Sequence, residues 1–117
     1  MESKIFQPNS KNILKASKIL QEGGIVVFPT ETVYGIGANA LNDKAVGRIY
    51  AAKKRPQNNP LIVHVENLER ARSIAHFSKI ELFLAKTFWP GPLTLVLNNG
   101  SQEISKKVTA GLRTVAI

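Results

Sequence analysis

The sequence predicts an α/β fold with a mixed or parallel sheet. Short runs of β-branched and apolar residues alternate with longer amphipathic segments. Glycine, proline and asparagine clusters punctuate the joins. No internal repeat, low-complexity tract or domain linker breaks the chain, and 117 residues suit one compact domain at most.

The elements follow in order. Ser10 caps a helix over residues 10–22, with Ile13, Ala16 and Leu20 on its inward stripe. Gly23-Gly24 stops it. The run 25–28 is uniformly apolar and reads as a strand buried on both faces, ended by Pro29. Residues 30–40 read as loop, with one extended stretch at 32–35. Asn42 or Asp43 caps a helix over 44–54, its apolar positions Ala45, Ile49 and Ala52 with Val46 and Tyr50 alongside, and Pro56 forces the exit. Asn58-Asn59-Pro60 is a turn, and 61–65 a second strand. Asn67 caps a short helix reaching residue 74. Ser78 and Glu81 make a capping-box pattern opening a helix to residue 88, with Ile80, Phe83, Leu84 and Thr87 on one side. Trp89-Pro90-Gly91-Pro92 is a rigid break, 93–97 a third strand, and Asn98-Asn99-Gly100 a turn. A helical turn over 103–108 and a strand from Thr114 complete the chain. The last residues form an apolar run without a polar tail, which reads as a truncated sequence.

Composition narrows the chemistry. The chain has no cysteine, which excludes a disulfide scaffold, a cysteine-ligated metal and a thiol nucleophile, and fits a reducing, cytoplasmic setting. Asp43 is the one aspartate, which disfavours an aspartate triad or an aspartate-rich metal cage. No apolar run reaches the roughly 18 residues of a membrane span. The formal net charge of +8 points to anionic partners or to a solvated lysine surface. No phosphate loop of the G-x-x-x-x-G-K type and no G-x-S-x-G exist. Gly35-Ile36-Gly37 lacks the third glycine and opens no helix, so it is no dinucleotide fingerprint. His64 and His76 have no metal-ligand spacing.

Three polar groups remain. The loop Thr30-Glu31-Thr32-Val33-Tyr34 follows a strand end, where α/β sheets bind ligands; the other reading is a turn whose hydroxyls satisfy its own backbone. Lys53-Lys54-Arg55 closes a segment, 43–55, with five basic residues and one acidic. A lysine and an arginine together suit phosphate oxygens, but cations are also favoured in any last helical turn. His64 interrupts an apolar strand, either as a core histidine with a backbone partner or as a substrate hydrogen-bonding group.

The stretches Phe28-Pro29-Thr30-Glu31-Thr32-Val33-Tyr34-Gly35-Ile36-Gly37, Ala52-Lys53-Lys54-Arg55-Pro56, Asn59-Pro60-Leu61-Ile62-Val63-His64-Val65, Trp89-Pro90-Gly91-Pro92-Leu93-Thr94 and Val108-Thr109-Ala110-Gly111-Leu112 closely resemble the YrdC family in order and register. The resemblance runs from about Ile13 to the end of the chain. It implies a twisted, open mixed sheet with flanking helices around a positively charged cavity, with residues 1–117 the N-terminal portion of one such domain. It implies an L-threonylcarbamoyladenylate synthase, a nucleotidyltransferase that joins L-threonine, bicarbonate and ATP into threonylcarbamoyl-AMP with release of pyrophosphate. That product feeds a transfer machinery acting on adenosine 37 of tRNA. The family resemblance also brings double-stranded RNA or tRNA as a partner, and Mg2+ as the companion of ATP. Residue by residue, Thr32 and His64 match threonine-binding positions, Lys53 and Arg55 the catalytic pair facing the nucleotide phosphates, and Asn59 and Thr114 further ATP contacts. The family's Ser-x-Asn motif, which completes the nucleotide site, has no counterpart here; Ser10-Lys11-Asn12 has the spacing but lies at the first helix. The carbamoyl-adenylate domain of hydrogenase maturation proteins is a related reading, disfavoured by the lack of cysteines for its zinc fingers. A non-catalytic RNA-binding module and an inactive fragment are the alternatives outside catalysis.

Overall fold

A computed structural model describes residues 4–117. The elements in chain order are α1 (Ser10–Gln21), β1 (Val26–Pro29), β2 (Tyr34–Gly37), α2 (Asp43–Lys53), α3 (Leu68–Arg72), β3 (Ala75–His76), α4 (Lys79–Phe88), β4 (Val96–Asn99), α5 (Lys106–Thr109) and β5 (Thr114–Ala116). The α/β class holds. Strands β3, β4 and β5 form an antiparallel sheet in that order. Ile62 adds a parallel bridge to Ala116 at its edge, so the sheet is mixed. β1 and β2 form a separate antiparallel hairpin. Among the described residues no helix is long and apolar enough to cross a membrane.

Helix starts follow local chemistry. The Asn42, Asn67 and Ser78 side chains accept from the backbone N–H three residues on, and Glu81 returns the bond to Ser78. The cap of α1 is Asn9 rather than Ser10, and of the two candidates for α2, Asn42 caps while Asp43 is its first residue.

The core lies between α2, the β3–β4–β5 sheet and the segment 61–65, with Val46, Tyr50, Val63, Ile74, Leu97, Val108 and Val115 at its centre. Several expectations are corrected by it. The run 25–28 is not buried on both faces: Val27 is 63% exposed, because β1 has a single partner strand. Pro29 lies inside β1, and the expected loop returns as β2. Segment 61–65 is a one-bridge edge rather than a full strand. Asn98 and Asn99 pair with His76 and Ala75 instead of turning. The α1 stripe is only partly covered: Ala16 and Leu20 are half-buried, Ile13 is 60% exposed, and no residue of that helix is fully buried. Ala52 on α2 is exposed, and α4 buries Ala85 while Ile80 and Phe83 face outward.

Gly35-Ile36-Gly37 has a packing role. A Cβ at Gly37 would come within 2.7 Å of the Phe28 ring, and one at Gly35 within 3.5 Å. The glycines let the ring lie across the opposite strand, where Phe28 faces Gly35 in register.

Candidate functional site

The site is built from three pieces of chain. The first is the end of α2. Lys54 adopts a left-handed conformation, φ 51°, and closes the helix. The Arg55 N–H donates to the Tyr50 carbonyl at 3.0 Å. This reversal lets Lys53 and Arg55, on either side of Lys54, line the same cleft.

The second piece is the segment after the Asn58-Asn59-Pro60 turn. The Leu61 N–H donates to the Val108 carbonyl and the Val63 N–H to the Ala116 carbonyl, both at 2.8 Å. Strand alternation then buries Val63 and turns Ile62 and His64 outward. His64 is therefore no core histidine. Its ring meets Phe28 edge-on, centroids 6.2 Å apart and planes at 78°.

The third piece is the β1–β2 turn. The Thr30 hydroxyl donates to the Val33 carbonyl and accepts from the Val33 N–H at 3.2 Å. Thr30 thus satisfies its own turn, as one of the two sequence readings holds. Glu31 and Thr32 stand exposed beside it.

These pieces enclose a cleft of about 880 Å3 lined by Phe28, Thr30, Lys53, Arg55, Ile62 and His64, among others. A second, of about 900 Å3, lies across residues 62–66 and reaches Glu31, Lys86 and the Trp89-Pro90-Gly91-Pro92 loop. Thr30 and residues 62–66 line both, so the two clefts adjoin along this segment and His64 borders each of them. Of the residues singled out in the sequence, Lys53, Arg55 and His64 come together here. Thr32 lies on the adjoining turn. Asn59 contributes its backbone carbonyl to the turn beneath the cleft, and Thr114 sits in β5 opposite Asn98; neither lines the cleft.

The charge pattern favours an anion. Among the described residues neither Lys53 nor Arg55 takes part in an ion pair, whereas Lys107 pairs with Asp43 at 3.2 Å and Arg70 with Glu103 at 3.7 Å. A lysine point charge beside an arginine fork suits phosphate oxygens. Among the described residues no three His, Asp or Glu side chains are grouped to hold a metal ion.

Sequence reasoning missed Phe28 and Ile62 as walls and Tyr50 as the support beneath Arg55. The Phe28 role was signalled by the two glycines opposite it. Tyr50 lay in a helical apolar stripe, where nothing separates a packing tyrosine from one that holds a loop.

Comparison with known proteins bears on the same residues. The family model Sua5_yciO_yrdC, described as "Telomere recombination", matches residues 18–117. The threonylcarbamoyl-AMP synthase of Pyrococcus abyssi is 52% identical over 103 residues, 87% of this chain and 30% of that protein. The Bacillus subtilis protein of the same name is 48% identical over 110 residues, 93% of this chain and 32% of that one. The crystal structure of P. abyssi Sua5 complexed with L-threonine superposes with a TM-score of 0.88 at 47% identity, covering 95% of this chain and 33% of that chain. The chain therefore spans about a third of the length of these relatives.

Proposed function

The chain belongs to the Sua5/YciO/YrdC family, and from that premise we propose that it takes part in forming threonylcarbamoyl-AMP from L-threonine, bicarbonate and ATP. The observation that carries this reading is the convergence in one cleft of His64 with Lys53 and Arg55, two cations without a carboxylate partner among the described residues. The L-threonine complex of the P. abyssi relative supports an amino-acid subsite in the same fold.

The chemistry follows from charge and proximity. The threonine amine and bicarbonate condense to an N-carboxylate with loss of water. A carboxylate oxygen then forms a bond to the α-phosphorus of ATP as the bond to pyrophosphate breaks. Lys53 and Arg55 offset the negative charge that spreads over the phosphate oxygens as pyrophosphate departs. His64, which borders both clefts, is assigned to the amino acid, Thr32 on the turn beside them is assigned to it on motif alone, and placement of the amino acid beside the phosphorus supplies the proximity. Asn59 and Thr114 are assigned to the nucleotide on motif alone. The triphosphate would bring its own Mg2+, which would offset part of its charge beside Lys53 and Arg55. The cysteine-free composition favours the cytoplasm, and tRNA is the acceptor that the product serves.

The test is ATP–pyrophosphate exchange. Radiolabelled pyrophosphate enters ATP only when threonine and bicarbonate are both present, and Lys53→Ala lowers the rate at least tenfold, about 1.4 kcal/mol of transition-state stabilisation. Exchange is measured with the 117-residue chain and again with added polypeptide covering the remainder of a relative's domain. Exchange independent of threonine, or none in either mixture, contradicts the reading.

A further inference from the structure

We propose that Tyr50 is a positioning residue for Arg55: through the Asn59 carbonyl it orients the guanidinium so that one edge grips the loop and the other faces the phosphate. The proposal rests on the phosphate-binding reading given above.

The geometry is a short relay. Tyr50 is 3% exposed, and its hydroxyl lies 2.8 Å from the Asn59 carbonyl and 2.7 Å from the Lys107 carbonyl. It carries one proton, so it donates to one carbonyl at a time: the bond to Asn59 ties the 56–60 loop to α2, the bond to Lys107 ties α5 to α2, and the relay uses the first. The same Asn59 carbonyl accepts from Arg55 Nε at 3.2 Å, and the Pro60 carbonyl accepts from Arg55 Nη2 at 2.8 Å.

A guanidinium offers five N–H donors in a fixed plane. Two are taken, both on the Nε–Nη2 edge. The edge formed by Nη1 and the second Nη2 hydrogen has no partner among the described residues, and its two parallel N–H groups can grip a phosphate in a paired fashion. Arg55 is therefore held by one edge and open at the other. An arginine free to rotate would lose rotamer entropy on binding; this one has lost it already. The Tyr50 hydroxyl matters because a peptide carbonyl on a solvent-exposed loop is a poor anchor unless something holds it. Here the anchor is a rigid side chain rooted in the core beside Val46 and Val108.

The experiment has two arms, with inorganic pyrophosphate as the probe. In the free protein, 15N spectra report exchange of the Arg55 Nε proton, and the deuterium isotope shift on the 13C signal of Tyr50 Cζ reports exchange of its hydroxyl. Slow exchange of both in the wild type, with the Nε proton speeding up at least fivefold in Tyr50→Phe, supports the relay. Fast exchange of the Arg55 proton in the wild type overturns it, and needs no variant to fold. The second arm is a double-mutant cycle. Tyr50→Phe weakens pyrophosphate binding about fivefold, the effect of one lost hydrogen bond. Arg55→Ala then costs clearly less in the Tyr50→Phe background than in the wild type. Effects that simply multiply show that Tyr50 acts by folding alone and contradict the proposal. A wild type that shows the slow Arg55 proton but binds no pyrophosphate leaves the relay standing and sinks the phosphate reading instead.

Discussion

Asp43 is the one aspartate of the chain, and it works at a joint rather than in the groove. Its carboxylate accepts from the buried Ser105 hydroxyl at 2.6 Å and pairs with Lys107 at 3.2 Å, tying the start of α2 to α5. The Ser105 hydrogen bond first, and Lys107 second, hold its pKa below the ordinary 3.8. A carboxyl whose folded pKa is depressed contributes stability that is complete above its unfolded value and is lost as pH falls through the folded one. The stability of the wild type therefore declines on acidification below about pH 4 more steeply than that of Asp43→Asn. Urea midpoints measured from pH 6 to pH 2.5 check this. Glu81, also held low by its bonds to Ser78, titrates alike in both proteins and cancels. Parallel acid limbs would remove Asp43 from the account. The sequence left Asn42 and Asp43 as rival caps because both types cap well; only the contact across to Ser105 separates their jobs. His64 shows the same limit. Whether a strand histidine faces core or solvent depends on which neighbours form the sheet, and Ile62 bridges only to Ala116.

Among the elements, the starts of α3 and α4 and the positions of β1 and β5 were readable, whereas strand pairing was not, for a physical reason. A cap is satisfied within four residues, so Asn67 and the Ser78–Glu81 pair carry their structural outcome in the local sequence. A strand is satisfied by a distant partner. Asn98 and Asn99 look like a turn, yet they pair with β3, a two-residue strand too short to leave a pattern. Tertiary pairing outweighed turn propensity there. The same logic separates apolar residues that stabilise from those that do not. Leu97→Ala, at a site 2% exposed, is expected to cost about 3 kcal/mol. Ile13→Ala, at an exposed position of α1, is expected to cost under about 0.5 kcal/mol. Chemical denaturation of the two variants compares them directly; similar losses would mean that α1 is packed in solution.

At the scale of the whole molecule, the groove belongs to no single element. It forms where the end of α2, the edge segment 61–65 and the β1–β2 turn meet, and a second cleft adjoins it at His64. The motifs carried the family and the identity of Lys53, Arg55 and His64. They did not carry the spacing between groups, because that spacing depends on the left-handed Lys54 and on the Phe28 ring lying over two glycines. They also assigned to the site Thr32, Asn59 and Thr114, none of which lines either cleft. The positive charge of the chain has acquired a partial address: Lys107 and Arg70 answer local carboxylates, while Lys53 and Arg55 answer none among the described residues. The central claim, one groove holding nucleotide phosphates beside an amino acid, is tested most directly by titrating MgATP and then L-threonine into 15N-labelled protein. The account predicts that MgATP shifts the signals of Lys53 and Arg55 and that threonine then shifts those of Thr32 and His64. Shifts confined to other surfaces, or threonine shifts that do not reach His64, would contradict it.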